Sequence, residues 1–211
     1  MNVISLTCES RQSFGKQPSK EMRRKELVPG VIYGGSEVIH FYADETTLKP
    51  IIYTPDFNLI EIEVEGKKYK TVLKDVQFHP VNENVVHVDF QELVSNRKVK
   101  VSVPLQFYGD SKGVKQGGTL VPVMRKLLIK STPENLVSEI KGNISALRLD
   151  QSLYVKELEI PEGIEVLTVR STPVAYIEVP RSLKSTENAA LLAAAKKGID
   201  LDEEGEGENA E

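Results

Sequence analysis

Cysteine is nearly missing from this 211-residue chain: Cys8 stands alone, which leaves no partner for an internal disulfide and no thiolate cage for zinc. A lone thiol fits a reducing compartment, and a cytoplasmic location is expected. No run of about eighteen apolar residues occurs, so a membrane-spanning helix is excluded. The opening MNVISLTCES has no positive charge ahead of its apolar positions, and no secretory core follows, so no signal peptide is expected. Alanine, the best helix former, appears three times before residue 186 and six times after it. What fills the chain instead is β-branched: 24 Val, 14 Ile and 10 Thr make up nearly a quarter of it. The body should be mainly β, with short helices. A hydrophobic share of 40% against 27% charged excludes wholesale disorder.

The formal net charge of −4 conceals an uneven distribution. Residues 187–211 hold eight carboxylates and two lysines, a balance of −6, so everything before them sums to +2. Within that remainder, residues 11–25 carry six basic side chains (Arg11, Lys16, Lys20, Arg23, Arg24, Lys25) against Glu21 alone. A local basic patch therefore sits on a nearly neutral body.

Hydrophobic periodicity divides the first half into strands and two short helices. Residues 2–9 alternate, with Ile4, Leu6 and Cys8 inward. Pro18-Ser19 opens KEMRRKEL, a helix that Ser19 is expected to cap, with Lys20, Arg23 and Arg24 on one face. LVPGVIYGG reads as an apolar strand with Pro-Gly and Gly-Gly as its punctuation, and residues 44–53 as a helix weakened by Pro50. Ile60, Ile62 and Val64 alternate with three glutamates before a turn at Gly66-Lys67 into a strand over 68–78. After a loop at 79–84, residues 85–92 return as a strand. Val86, Val88 and Phe90 are assigned to its inner face, and His87, Asp89 and Gln91 to its outer one.

A boundary is expected near 94–98, dividing the chain into 1–94, 95–185 and a tail of 186–211. Beyond it Val99, Val101, Val103, Leu105 and Phe107 alternate inward. GDSKGVKQGGT reads as a hairpin loop, and strand-like runs follow at 120–123, 126–131, 153–158 and 174–179. Strands at this spacing suggest a small sandwich or roll. ENAALLAAAKKG can form a short helix stopped at Gly198, with a polar acidic tract after it.

Chemistry-bearing constellations are few. Lysine and arginine neutralise phosphates, and arginine adds a planar fork, so the basic window suits a phosphate-rich partner. Tyr33 beside two glycines, and a strand face of His87, Asp89 and Gln91, offer groups that can meet base edges or ribose hydroxyls in an open RNA groove. The competing reading is a solvated helix face beside an ordinary surface strand. His87 and Asp89 could also form half a metal site or a dyad, but His40 and His79 have no spacing that recruits them, and no nucleophile elbow is present. No metal or cofactor is expected. GVKQGG lacks the Lys-Ser/Thr ending of a phosphate-binding loop.

Taken in order, Arg11, Lys16, Lys20 and Arg23, then VPGVIYGG at 28–35, QFHP at 77–80 and HVDF at 87–90 resemble one family. It is the bacterial large-subunit ribosomal protein twenty-five family, in its two-domain general stress protein (CTC) form. The resemblance spans roughly residues 1–185, with its sharp motifs before residue 96 and a looser match through VPLQFYGDSKGVKQGGTL. It implies a non-enzymatic constituent of the large ribosomal subunit that binds 5S ribosomal RNA around loop E. It also implies an N-terminal β-barrel and a C-terminal β-rich roll. Carried over by motif, Arg11, Lys16, Lys20 and Arg23 would meet phosphates and sugars, with Arg24 beside them. Tyr33, Gln77, His87 and Asp89 would sit against the groove. The chain departs from the family's usual pattern at Lys20, often arginine, and at Glu21, often basic. A monomer is expected before assembly. The rival classes are a two-domain β protein-interaction module with an incidental basic patch, and, further off, a hydrolase using His87 and Asp89.

Overall fold

The computed structural model of the chain describes residues 2–180. The expected helix and acidic tract of the tail lie outside that range. The first half comprises β1 (Val3–Ser10), α1 (Lys16–Arg24), β2 (Leu27–Tyr33), β3 (Ile39–Asp44), α2 (Glu45–Ile52), β4 (Leu59–Val64), β5 (Lys67–Phe78) and β6 (Val85–Glu92). Its six strands close into a barrel in the order β1-β3-β2-β6-β5-β4. The β1–β4 and β2–β6 pairs are parallel, and the other ladders are antiparallel. Closure leaves no free sheet edge, and period-two alternation then puts every other side chain inside.

The interior holds Leu6, Cys8, Val28, Ile32, Phe41, Ile60, Ile62, Val88 and Phe90, joined by Leu48 and Ile51 of α2. Each such side chain contributes about 1.5–3 kcal/mol by leaving water, so this core is the principal stabilising term. Burial also pushes the Cys8 thiol up to about 12, which leaves it a packing group rather than a nucleophile. Strand β4 shows the alternation most clearly, with Glu61 and Glu63 outward and opposite Lys70 and Lys68 of β5. The reversal that joins them is at Glu65-Gly66, both with positive φ (50° and 78°), one residue earlier than the expected Gly66-Lys67. Two consecutive positive φ values match the twist of a two-residue hairpin loop.

Three local expectations are corrected. Pro29-Gly30 does not bound β2 but lies inside it. The β2–β6 ladder starts at Gly30, so Pro29 is spared the hydrogen bond it cannot donate there. Gly30 is required sterically: a Cβ would sit 2.4 Å from Phe41 Cζ and 2.8 Å from Val88 Cγ2. Ser19 does not cap α1, which begins at Lys16 after Gly15. Pro18 falls in the first turn, where a missing N–H costs nothing, and the Ser19 hydroxyl donates back to the Gly15 carbonyl at 2.6 Å. In β6 the inward place assigned to Val86 belongs to Val85, because a register shift opposite Gln77 and Phe78 inserts one unpaired residue. The helix expected over 44–53 is present as α2, with Pro50 inside it.

The second half comprises β7 (Val99–Tyr108), α3 (Lys112–Lys115), β8 (Thr119–Pro122), β9 (Lys126–Ser131), β10 (Ile140–Asn143), β11 (Ser152–Tyr154), β12 (Glu165–Val166) and β13 (Pro173–Glu178). They form a four-stranded sheet, β10-β7-β9-β12, and a three-stranded sheet, β11-β13-β8. Val99, Val101, Val103 and Leu105 are buried as the alternation requires, while Phe107 is only half-buried. The segment after β7 is not a hairpin loop, because β7 and β8 belong to different sheets. It carries the single turn α3 instead. The buried Ser111 hydroxyl caps it, accepting from the N–H groups of Gly113 and Val114 and donating to the Leu147 carbonyl at 2.9 Å. The run at 153–158 is not one strand: it splits into β11 and a 3-10 turn at Val155–Glu157.

By contact density the chain forms two compact units. One, among the described residues, is residues 2–106 with Arg125–Gly142 and Leu158–Arg170. The other, among the described residues, is Phe107–Met124 with Asn143–Glu157 and residues 171–180. The architecture is mainly β with short helices, a closed barrel coming first.

Candidate nucleic-acid interface

On α1 the spacing of Lys16, Lys20, Arg23 and Arg24 places all four within about 100° of arc at 3.6 residues per turn. Pro18, Ser19 and Met22, on the other side, are half-buried, whereas the four basic residues are exposed. The helix therefore shows a stripe of positive charge to solvent. Among the described residues, Lys16, Lys20 and Arg24 have no hydrogen-bond or ion-pair partner; Arg23 has one, donating from Nε to the Val86 carbonyl at 3.1 Å. That bond ties the end of the stripe to β6.

Arg11 plays a different part locally. Its guanidinium donates to the Ser13 carbonyl and the Ser19 hydroxyl, both at 2.8 Å, and lies over the Phe14 ring. It braces the first turn of α1, so its fork is already partly committed within the chain.

The neighbouring barrel wall is β2-β6-β5, and register decides which outward side chains meet. Gln77 lies opposite His87, and Asp89 lies between Val31 on one side and Asp75 on the other. Tyr33 is opposite Gln91. Partial burial, and then the carboxylates of Asp89 and Asp75, hold the Tyr33 phenol above its ordinary value. The strands thus gather Tyr33, Gln77, His87 and Asp89 on one outward face. Asp75 belongs there too and was missed by sequence reasoning. Its place depends on a register shift at Lys74, which no periodicity signals.

His87 Nδ1 and Asp89 Oδ1 are 2.7 Å apart, with both side chains half-exposed. A carboxylate only accepts, so Nδ1 carries the proton and donates. His87 Nε2 and the second oxygen of Asp89 are left for other partners. The wall is therefore polar at its centre, with the basic stripe of α1 alongside. Two further groups fix its rim. Arg97 donates to the Gly34 carbonyl at 2.6 Å, holding the turn after Tyr33, and no pattern in the sequence marks it. His79 Nδ1 accepts from the N–H groups of Val81 and Asn82, closing the 79–84 loop. Among the described residues, no three His, Cys, Asp or Glu side chains gather as metal ligands.

The fold is a closed barrel with one basic helix beside a polar strand wall, followed by further β structure. Comparison with known proteins makes this specific. The sequence model of the Ribosomal L25p family matches residues 6–90, and that of the ribosomal protein TL5 C-terminal domain matches 98–181. The chain is 37% identical over 197 residues to the large ribosomal subunit protein bL25 of Amoebophilus asiaticus, covering 93% of this chain and 100% of that one. It is 39% identical over the same length to the protein of that name from Cytophaga hutchinsonii, with the same coverage. Against the Bacteroides thetaiotaomicron protein it is 34% identical over 184 residues, 87% of this chain and 93% of that one. This chain belongs to the Ribosomal L25p family, in a form that also carries the TL5 C-terminal domain. It is a structural protein and not an enzyme.

Proposed function

We propose that this chain is a cytoplasmic constituent of the large ribosomal subunit that binds 5S ribosomal RNA, at its loop E, through residues 1–94. One observation carries the reading: the basic stripe of α1 and the wall bearing Tyr33, Gln77, His87 and Asp89 are neighbours, tied by the Arg23–Val86 bond. In this reading Lys16, Lys20, Arg23 and Arg24 neutralise phosphates and Arg11 holds the helix that carries them. The wall meets base edges and ribose hydroxyls in a widened minor groove. Sequence is read by donor and acceptor groups, while phosphate contacts position the protein.

Residues 1–94 should be sufficient. The barrel core draws only on residues of that segment, so the fragment should fold and shift a loop E RNA in a gel with near-full affinity. A fragment that is folded by circular dichroism and leaves the RNA unshifted would contradict the proposal.

Asp89 provides the sharper test. A carboxylate near phosphates is electrostatically unfavourable, so a merely solvated Asp89 would make Asp89→Asn bind RNA more tightly. As a specific acceptor that also orients His87, its replacement should weaken binding instead. The expected loss for Asp89→Ala is about 1.5–3 kcal/mol, and for His87→Ala about 0.5–1.5 kcal/mol, with folding intact. Dissociation constants for Asp89→Asn at two salt concentrations decide it, and tighter binding at both excludes the role.

A further inference from the structure

Beyond β5 lies a cleft of about 380 Å³. Its apolar lining includes Ile51, Phe57, Leu73 and Val76, and its charged lining includes Lys74, Lys100 and Lys126. Asp56 and Asp75 share the walls, yet among the described residues none of the three lysines has a carboxylate within ion-pair distance. Lys74 Nζ donates to the Lys100 carbonyl at 2.7 Å, and its burial followed by the Lys100 charge holds it below its ordinary value. The lining thus carries three lysines against two aspartates with no ion pair among them, a net positive cleft to which an anion is the complement.

Aromatic rings stand beside the lysines. Phe78 lines the cleft at 46% exposure, and Tyr53 is next to it at 60%, their centroids 6.3 Å apart and their planes at 51°. Large exposed rings forgo the stabilisation of burial, and a pair of them next to lysines is the composition of a stacking platform for single-stranded nucleic acid. The volume suits one base with its sugar and phosphate. The cleft also adjoins the proposed RNA face, since Asp75 belongs to both.

We infer that this cleft receives an unpaired nucleotide of ribosomal RNA, its base against Tyr53 and Phe78 and its phosphates facing Lys100 and Lys126. The inference rests on the RNA-binding reading above and adds to it a second, single-stranded contact. An acidic peptide would satisfy the lysines but would not need the exposed ring pair.

The test uses the full chain with two probes: deproteinised large-subunit ribosomal RNA, and an isolated loop E duplex. The variants are Lys100→Gln/Lys126→Gln and Tyr53→Leu, all at exposed positions. Against whole ribosomal RNA the lysine variant should flatten the slope of log affinity on log salt by about 1.4, at roughly 0.7 per phosphate of a single strand. Tyr53→Leu should weaken binding about fivefold or more. Against the loop E duplex both should match the parent protein. Parent-like binding of whole RNA by both variants overturns the inference, and so does an equal loss on the duplex. Unchanged RNA affinity with poorer retention in reassembled subunits overturns it in favour of a protein occupant. The RNA reading itself fails separately, if the parent protein binds neither probe.

Discussion

Phe41→Ala should cost the barrel about 3–5 kcal/mol, the range for removing a buried phenylalanine from a packed core. Phe41 is fully buried, contacts the Phe90 ring at 5.9 Å between centroids, and its Cζ occupies the space a Cβ on Gly30 would need. Typical domains are stable by only about 5–15 kcal/mol, so the loss is about a fifth of that or more. Gly30→Ala is the complementary change. It forces a methyl group against Phe41 and Val88 and should cost about 1–3 kcal/mol by overpacking. The two positions must be coupled: in a Phe41→Leu background the Cζ atom is gone, and Gly30→Ala should cost measurably less. It should not become free, because the Val88 contact at 2.8 Å remains. Urea denaturation of the four proteins measures this cycle, and additive costs would show that the ring does not fill that space.

Replacing Lys16, Lys20, Arg23 and Arg24 together by glutamine should remove most of the salt sensitivity of RNA binding. Each phosphate contact contributes about 0.7–0.9 to the slope of log affinity against log salt, so four should lower it by about three. Near 0.1 M salt that corresponds to roughly a thousandfold in affinity. All four side chains are exposed and none packs in the core, so the barrel should remain folded. Lys25→Gln is the control. Lys25 follows the helix about 180° round from Lys16, off the stripe, and its removal should leave the slope nearly unchanged. Filter binding across a salt series reads both. An equal change for Lys25 would mean that only bulk charge matters, and no change for the fourfold variant would return the stripe to a solvated helix face.

Where a single strand carries its own signal, the sequence was legible. Strand β4 alternates without interruption, β6 begins and ends where its pattern does, and His87 and Asp89 share a face because they are two residues apart. What could not be read depends on neighbours. β10 and β12 have too few residues for any period, and they are strands because β7 and β9 pair with them. Pro29-Gly30 resembles punctuation until the Phe41 ring shows why no side chain fits. Asp75 enters the candidate site, and Val85 replaces Val86 inside the barrel, through register shifts in the β5–β6 ladder. Charge was legible as a stripe on α1, but that its end is tied to β6 was not, since 63 residues separate Arg23 from the Val86 carbonyl it meets.

That separation recurs in the barrel itself. Strand β2 waits for β6, and β1 waits for β4, before either parallel ladder can form. Contacts between residues so distant in sequence are the slow kind, because a long loop must close before any of them is rewarded. During synthesis, α1 emerges early with its charges in place, whereas the strand bearing His87 and Asp89 is among the last parts of the barrel to appear. On the proposed RNA-binding role, a growing chain would pass through a period in which it attracts polyanions without discriminating among them. In that role selectivity would arrive only with ring closure, so the ability to choose an RNA would be acquired cooperatively, in the same event that completes the fold.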